Sequence, residues 1–299
     1  MAQQIPLSNE ASAVDPVLDA ARDDRTHEVA EGVAYRRLGI VNVVFIGAPA
    51  AGDRNWMLVD AGLPGTKGLI KSAAEARFGK GARPAAILMT HGHFDHTGVL
   101  ETLAEEWDAP VYAHSLEKPY LNGQAAYPPG DPSVGGGAMA ALARFYPRGP
   151  VDVGARLHVL PEDATVHGLK GWTWIHTPGH SVGHVSFWRE SDRTLIVGDA
   201  FVTTAQESAY SVALQSPEMH GPPMYYTIDW EAARASVAQL AALEPEVIVT
   251  GHGQAMKGTE MRTALHHLAR TFDGVAVPKD GRYLHAPARA EDGSAYAEP

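Results

Sequence analysis

The segment Thr90-His91-Gly92-His93-Phe94-Asp95-His96-Thr97 sets three imidazoles and one carboxylate within six residues. Imidazole nitrogen and carboxylate oxygen form a borderline-to-hard donor set, suited to Zn(II), Mn(II), Fe(II) or Co(II). In an extended segment alternate residues point the same way, so His91, His93 and Asp95 can share one side while Gly92 leaves the backbone room. His96 breaks that alternation. As the chain turns into a helix, Asp95 and His96 can swing to one metal while His91 and His93 hold another. A loop that only caps a helix through Asp95 or Thr97 is the plainer explanation, but three histidines are more than a cap requires.

Such ligands need strand ends to hold them. Ala85 to Met89, set off by Pro84, is an apolar run too short for a helix and reads as a buried strand leading into the histidines. Val33 to Ile46 is strand-like, and Trp56 to Asp60 is a further strand that ends in a carboxylate. Asp60-Ala61-Gly62 then turns toward a helix carrying Ile70, Ala74 and Phe78 on one face, and Val99, Leu100, Leu103 and Trp107 mark a second helix.

The second half repeats the arrangement. After strands at Thr165-Val166-His167 and Trp172 to Ile175 comes the loop Thr177-Pro178-Gly179-His180-Ser181-Val182-Gly183-His184, then a strand from His184 to Trp188. Leu195 to Asp199 is again an apolar strand delivering an Asp, and Val247 to Thr250 leads into Gly251-His252-Gly253. Asp229 caps a helix with Trp230, Ala233, Val237 and Leu240 on one face, and a last helix carries Met261, Leu265 and Leu268. Two such βα layers packed face to face make an αββα sandwich of the α/β (α+β) class, with both sets of strand ends at one edge.

Candidate ligands from His91 to His252 must converge, so residues 31–275 are expected to form one domain of this 299-residue chain. Residues 1–30 read as a polar N-terminal extension and a loose arm, from which Val14, Val17 and Leu18 could dock; residues 276–299 read as a tail. Asp15, Asp19, Asp23 and Asp24 occupy the place where a secretory signal needs an apolar core, and no run approaches the ~18 apolar residues of a membrane span. The absence of Cys removes thiolate as a ligand and fits a reducing, cytoplasmic setting. A net charge of -11, with Lys and Arg scattered apart from Arg36-Arg37, argues against nucleic acid as a partner. Residues 115–155, with Tyr127-Pro128-Pro129-Gly130, Gly135-Gly136-Gly137 and one apolar helix from Ala138 to Tyr146, are an insertion expected to act as a lid or a homodimer contact. Met139, Leu142, Phe145 and Tyr146 on it call for burial.

With these pieces in order, the chain resembles the metallo-β-lactamase superfamily from about Val33 to about Arg270. The resemblance rests on His91-x-His93-x-Asp95-His96 followed by His180, Asp199 and His252. It implies an αββα sandwich in which His91, His93 and His180 hold one metal, Asp95, His96 and His252 hold the other, and Asp199 bridges them. B1-type lactamases carry Cys where this chain has Asp199, which points toward the glyoxalase II-like and lactonase-like branches. Two cations, most simply Zn(II), roughly 3.5–4 Å apart would ionise a shared water near neutrality. Asp95 would then carry the proton to the leaving group, and Asp60 would orient a ligand histidine from behind.

The expected activity is hydrolysis of a small ester, lactone or thioester. Lactonases similar to this chain often carry Tyr three residues after the bridging Asp; here Val202 stands there, with Tyr225 or Tyr226 as a replacement. Thr177-Pro178-Gly179-His180 resembles glyoxalase II, whose basic glutathione-binding domain is not evident. His184 is expected to hydrogen-bond behind the ligands, His114 to be structural, and His176, His158, His167, His266 and His267 to be surface or core. His220 is a candidate substrate contact. The alternatives are a mononuclear iron enzyme similar to persulfide dioxygenases, and a metal-binding module without turnover.

Overall fold

A computed structural model describes residues 5–15, 19, 24–208 and 216–299. Two sheets carry the fold. One has seven strands in the spatial order His27–Ala30, Val33–Leu38, Val41–Ile46, Met57–Val59, Ala86–Leu88, Val111–Ala113 and Leu157–Val159. The other has six, in the order Met256–Lys257, Val247–Thr250, Thr194–Gly198, Val185–Arg189, Leu169–His176 and Thr165–Val166.

Side-chain alternation along the strands divides the core into layers. Val44, Ile46, Val59 and Leu88 from the first sheet meet Val185, Phe187, Ile196 and Val249 from the second, forming the apolar layer between them. Val43, Phe45, Leu58 and Ile87 face the other way, onto Ile70, Ala74 and Phe78 of helix Lys67–Phe78 and Leu100 and Leu103 of helix Leu100–Glu106. Leu195, Val197 and Ile248 do the same on the far side. They bury Val237 and Leu240 of helix Trp230–Ala242 and Met261, Leu265 and Leu268 of helix Gly258–Val275. Helix, sheet, sheet, helix is the order that the sequence pattern implies.

The internal echo is also present. Met57–Val59 runs parallel to Ala86–Leu88, so the strand ending at Asp60 lies beside the strand leading to His91. Thr194–Gly198 runs parallel to Val247–Thr250, which does the same for Asp199 and His252. Asn42 ties the halves together: its amide and side chain donate to the carbonyls of Gly251, Thr250 and Gly253.

Both ends of the chain are tied to the body. The loose arm is in part a docked element, because Ile5–Pro6 pairs with Glu218–Met219 and the Ala13 amide donates to Ala255. His27–Ala30 is an edge strand of the larger sheet, so the sheet begins before residue 31. Val14 packs on the layer between the sheets; Val17 and Leu18 lie outside the described residues. The C-terminal tail is likewise bound in. Ala297 exchanges backbone hydrogen bonds with Ala126, and the Tyr296 hydroxyl donates to the Leu116 carbonyl.

The insertion packs onto the site edge, but its helix is shorter than the apolar pattern suggests. Ala138–Leu142 is α-helical and Ala143–Phe145 is 3-10. Tyr146 and Met139 are half-buried, whereas Leu142 and Phe145 are 49% and 68% exposed, contrary to the expectation that all four are covered. Among the described residues no helix is long and apolar enough to cross a membrane.

Candidate metal centre

The strand ends deliver their side chains to one buried place. His91 follows Ala86–Leu88, and His93 is the residue before the short helix Phe94–Thr97 that presents Asp95 and His96. His180 comes from the other half, on a loop whose Gly179 has φ +132° and lies so close to the helix behind it that a Cβ would stand 2.3 Å from the Ala233 amide nitrogen. Three ligand groups result: His91, His93 and His180; Asp95, His96 and His252; and His91, His96 and Asp199, each with its donor atoms within 4.8 Å of one another. Asp199 stands between the first two groups. Its Oδ2 is 3.5 Å from His180 Nε2 and 3.0 Å from His252 Nε2, and its Oδ1 is 3.6 Å from His96 Nε2.

Four of the five rings are held from behind. The His96 Nδ1–H donates to Asp60 at 2.8 Å and the His252 Nδ1–H to the Ile40 carbonyl at 2.6 Å. The Thr90 hydroxyl donates to Asp60 and can accept from His91 Nδ1 at 3.0 Å, and Thr227 stands behind His180 Nδ1 at 3.4 Å. These contacts turn the Nε2 lone pairs of all four rings inward, the orientation a metal ligand needs. Asp60 itself adopts φ +61°, a left-handed conformation that Asp tolerates better than most residues.

Inward-facing donors without partners mark the place as cation-binding. His91 Nε2, His96 Nε2 and Asp199 Oδ1 are buried and make no hydrogen bond, which is costly unless something positive sits among them. His93 Nδ1 faces His180 Nε2 at 2.9 Å. Burial holds His91 and His93 far below the usual imidazole range and brings His180 down to about 4, so these rings are free bases at neutral pH. Burial opposes charge on His96 and His252 as well, but Asp199 outweighs it at both, with Asp60 at His96 and Asp95 at His252, and both rings are pushed up. The same imidazoles hold Asp199 well below the carboxylate range despite its burial. The residues present therefore fit two cations.

His184 lies behind the ligands as expected: its Nε2 accepts the Asp199 amide at 2.8 Å and its Nδ1 meets the Thr177 hydroxyl at 2.8 Å. His114 stacks on His176 with ring centroids 4.2 Å apart. His220 directs Nδ1 toward the Gly221 carbonyl and has Nε2 3.3 Å from Glu207. Tyr226 stacks on His93 with centroids 4.6 Å apart and keeps a buried hydroxyl that makes no hydrogen bond. Tyr225 is buried beside it.

Two residues of the insertion had no sequence signal. Tyr127 packs its ring 4.2 Å from His93, and Glu117 lies fully buried between the His91 and His180 loops. A lone Glu at the start of an irregular segment resembles any surface carboxylate until the fold closes over it.

The model of the metallo-beta-lactamase superfamily matches residues 36–252. A Bacillus subtilis (strain 168) protein, the probable metallo-hydrolase YflN, is 43% identical over 258 residues, covering 86% of this chain and 97% of that protein. Among solved structures, a beta-lactamase domain protein from Burkholderia ambifaria aligns with a TM-score of 0.58 at 22% identity, over 87% of this chain and 76% of its own. A B3 metallo-beta-lactamase described as having an active-site glutamic acid aligns with a TM-score of 0.57 at 19% identity, over 90% and 97%.

Proposed function

The chain belongs to the metallo-beta-lactamase superfamily and is a metal-dependent hydrolase; from that premise we propose that it cleaves a small ester, lactone or thioester with two divalent cations. The observation that carries this reading is the gathering of His91, His93 and His180 beside Asp95, His96 and His252, with Asp199 in reach of both groups. A single-ion site would leave the second group without a purpose. Imidazole and carboxylate with no thiolate suit Zn(II), and the same donors accept Fe(II), Mn(II) or Co(II).

A bound cation pair would supply an ionised solvent molecule near neutral pH and polarise the carbonyl under attack. The chain supplies the rest. His91, His93 and His180 serve as neutral ligands because burial keeps them unprotonated. Asp95, whose Oδ2 lies 3.5 Å from His252 Nε2, is the carboxylate that takes a proton and returns it to the leaving group. Asp60 fixes the orientation of His96 directly and of His91 through Thr90. Tyr226, with Tyr225 and Tyr146 packed nearby, forms an aromatic wall beside His93, and its free hydroxyl is a donor for a substrate oxygen. Asp199, where B1-type lactamases carry Cys, is what turns the proposal from β-lactams toward esters, lactones and thioesters.

A panel of esters, lactones and thioesters offered to zinc-loaded protein, with Asp95→Ala as control, tests the reading. Turnover of at least one class, lost in the control, is expected. Oxygen consumption with one iron per chain would replace it by the mononuclear iron alternative.

A further inference from the structure

Glu117 is a buried carboxylate with no role in the ligand set, and four donors converge on it. The Gly92 amide donates at 2.9 Å and Tyr127 donates its hydroxyl. The Ser181 hydroxyl donates at 2.8 Å and the Gly183 amide at 2.9 Å. Gly92 separates His91 from His93, and Ser181 follows His180. One carboxylate thus grips both loops of the three-histidine group, which come from opposite sheets. The fit is close on each side: a Cβ on Gly183 would lie 2.8 Å from Glu117 Cγ, and a Cβ on Gly92 would lie 2.9 Å from the Tyr127 hydroxyl.

We propose that Glu117 is a positioning residue that assembles the His91, His93 and His180 metal site by tying the two histidine loops together. The argument is geometric. Backbone amides of Gly92 and Gly183 have fixed directions and can only donate, so the group between them must present an acceptor to each. A carboxylate meets that demand. A carboxamide of the same size turns one NH2 toward donors that cannot turn away.

The clamp is itself backed. Tyr127 stacks on Tyr120 with centroids 3.7 Å apart, and the Tyr120 hydroxyl donates to the Ala295 carbonyl at 2.7 Å. Through this stack the C-terminal segment braces the ring that touches both Glu117 and His93.

The inference rests on the two-cation reading and is tested by zinc affinity, without turnover. Metal-stripped wild type, Glu117→Gln, Ser181→Ala and Tyr127→Phe are titrated with zinc against a chromophoric chelator, with melting temperature as the fold check. Outer partners of metal ligands typically contribute 10–100-fold to affinity, so Glu117→Gln is expected to weaken one zinc step by about that factor and leave the other near its wild-type value. The single step left in a His252→Ala background, where the three histidines remain, must weaken in the same way. Ser181→Ala and Tyr127→Phe should weaken that step by less. A folded Glu117→Gln variant that binds both zinc ions as wild type does overturns the proposal. If that variant does not fold, wild-type affinity in both Ser181→Ala and Tyr127→Phe overturns it, and a weakened step in them supports it. Wild type taking a single zinc would contradict the two-cation reading alone, and the response of that zinc to the same variants still decides the role of Glu117.

Discussion

Asp60 accepts three hydrogen bonds, and two of them lead to different metal groups. Its Oδ2 lies 2.8 Å from His96 Nδ1, and it also takes the Thr90 hydroxyl, which in turn meets His91 Nδ1. The Thr90 amide completes the set at 2.8 Å. One carboxylate at a strand end therefore fixes the rings of His91 and His96 together.

Asp60→Asn keeps the side-chain size and remains compatible with the left-handed backbone at this position. It removes the charge behind both rings and sets an NH2 against existing donors. The expected result is a loss of about 10–100-fold in metal affinity with a folded protein, read by zinc titration and circular dichroism.

Tyr226→Phe removes a buried hydroxyl that makes no hydrogen bond in the fold and keeps the ring on His93. An unsatisfied buried polar group costs about 1–3 kcal/mol, so melting temperature should hold or rise. If the hydroxyl binds substrate, kcat/KM should fall about tenfold, the equivalent of one hydrogen bond. Unchanged kinetics on a responsive substrate would remove Tyr226 from the substrate contacts.

Gly251→Ala should damage the metal centre without touching a ligand. A Cβ at Gly251 would stand 2.0 Å from Asp199 Oδ1 and 2.8 Å from His96 Cε1. Overpacking of this kind costs about 1–3 kcal/mol, and here it must push Asp199 away from its place between the groups. Metal content should fall more sharply than melting temperature, as elemental analysis of the purified variant would show.

The stability of the metal-stripped protein should drop between pH 6.5 and 4. Burial, and for His114 the nearby His176, brings both His114 and His180 down to about 4. The unfolded chain takes up these protons near the ordinary value of about 6.5, whereas the fold resists them until about 4. The stabilising contribution is full above 6.5 and is lost as pH falls through that window. His114→Gln, outside the ligand groups, should make the decline of melting temperature with pH shallower; an unchanged slope would contradict the assignment.

The layered fold and the site edge were legible because both rest on short-range signals. Strand alternation, helix periodicity and strand ends terminating in Asp60, His91, Asp199 and His252 survive in a one-dimensional reading. The loose N-terminal arm is not what the fold shows, because Ile5–Pro6 docks by backbone pairing and Leu7, Ala11 and Ala13 bury single apolar side chains, neither of which carries a sequence period. Glu117, Tyr127 and the tail contacts are long-range hydrogen bonds with no sequence period. The ion pair of His220 with Glu207, thirteen residues away, likewise has no sequence period.

Zinc added stepwise to metal-stripped protein, with hydrolysis of a responsive ester, lactone or thioester followed at each step, tests the two-cation account most directly. Activity is predicted to keep rising until the second equivalent is bound and to level there. Full activity at one equivalent, or none at two across the whole panel, would contradict it.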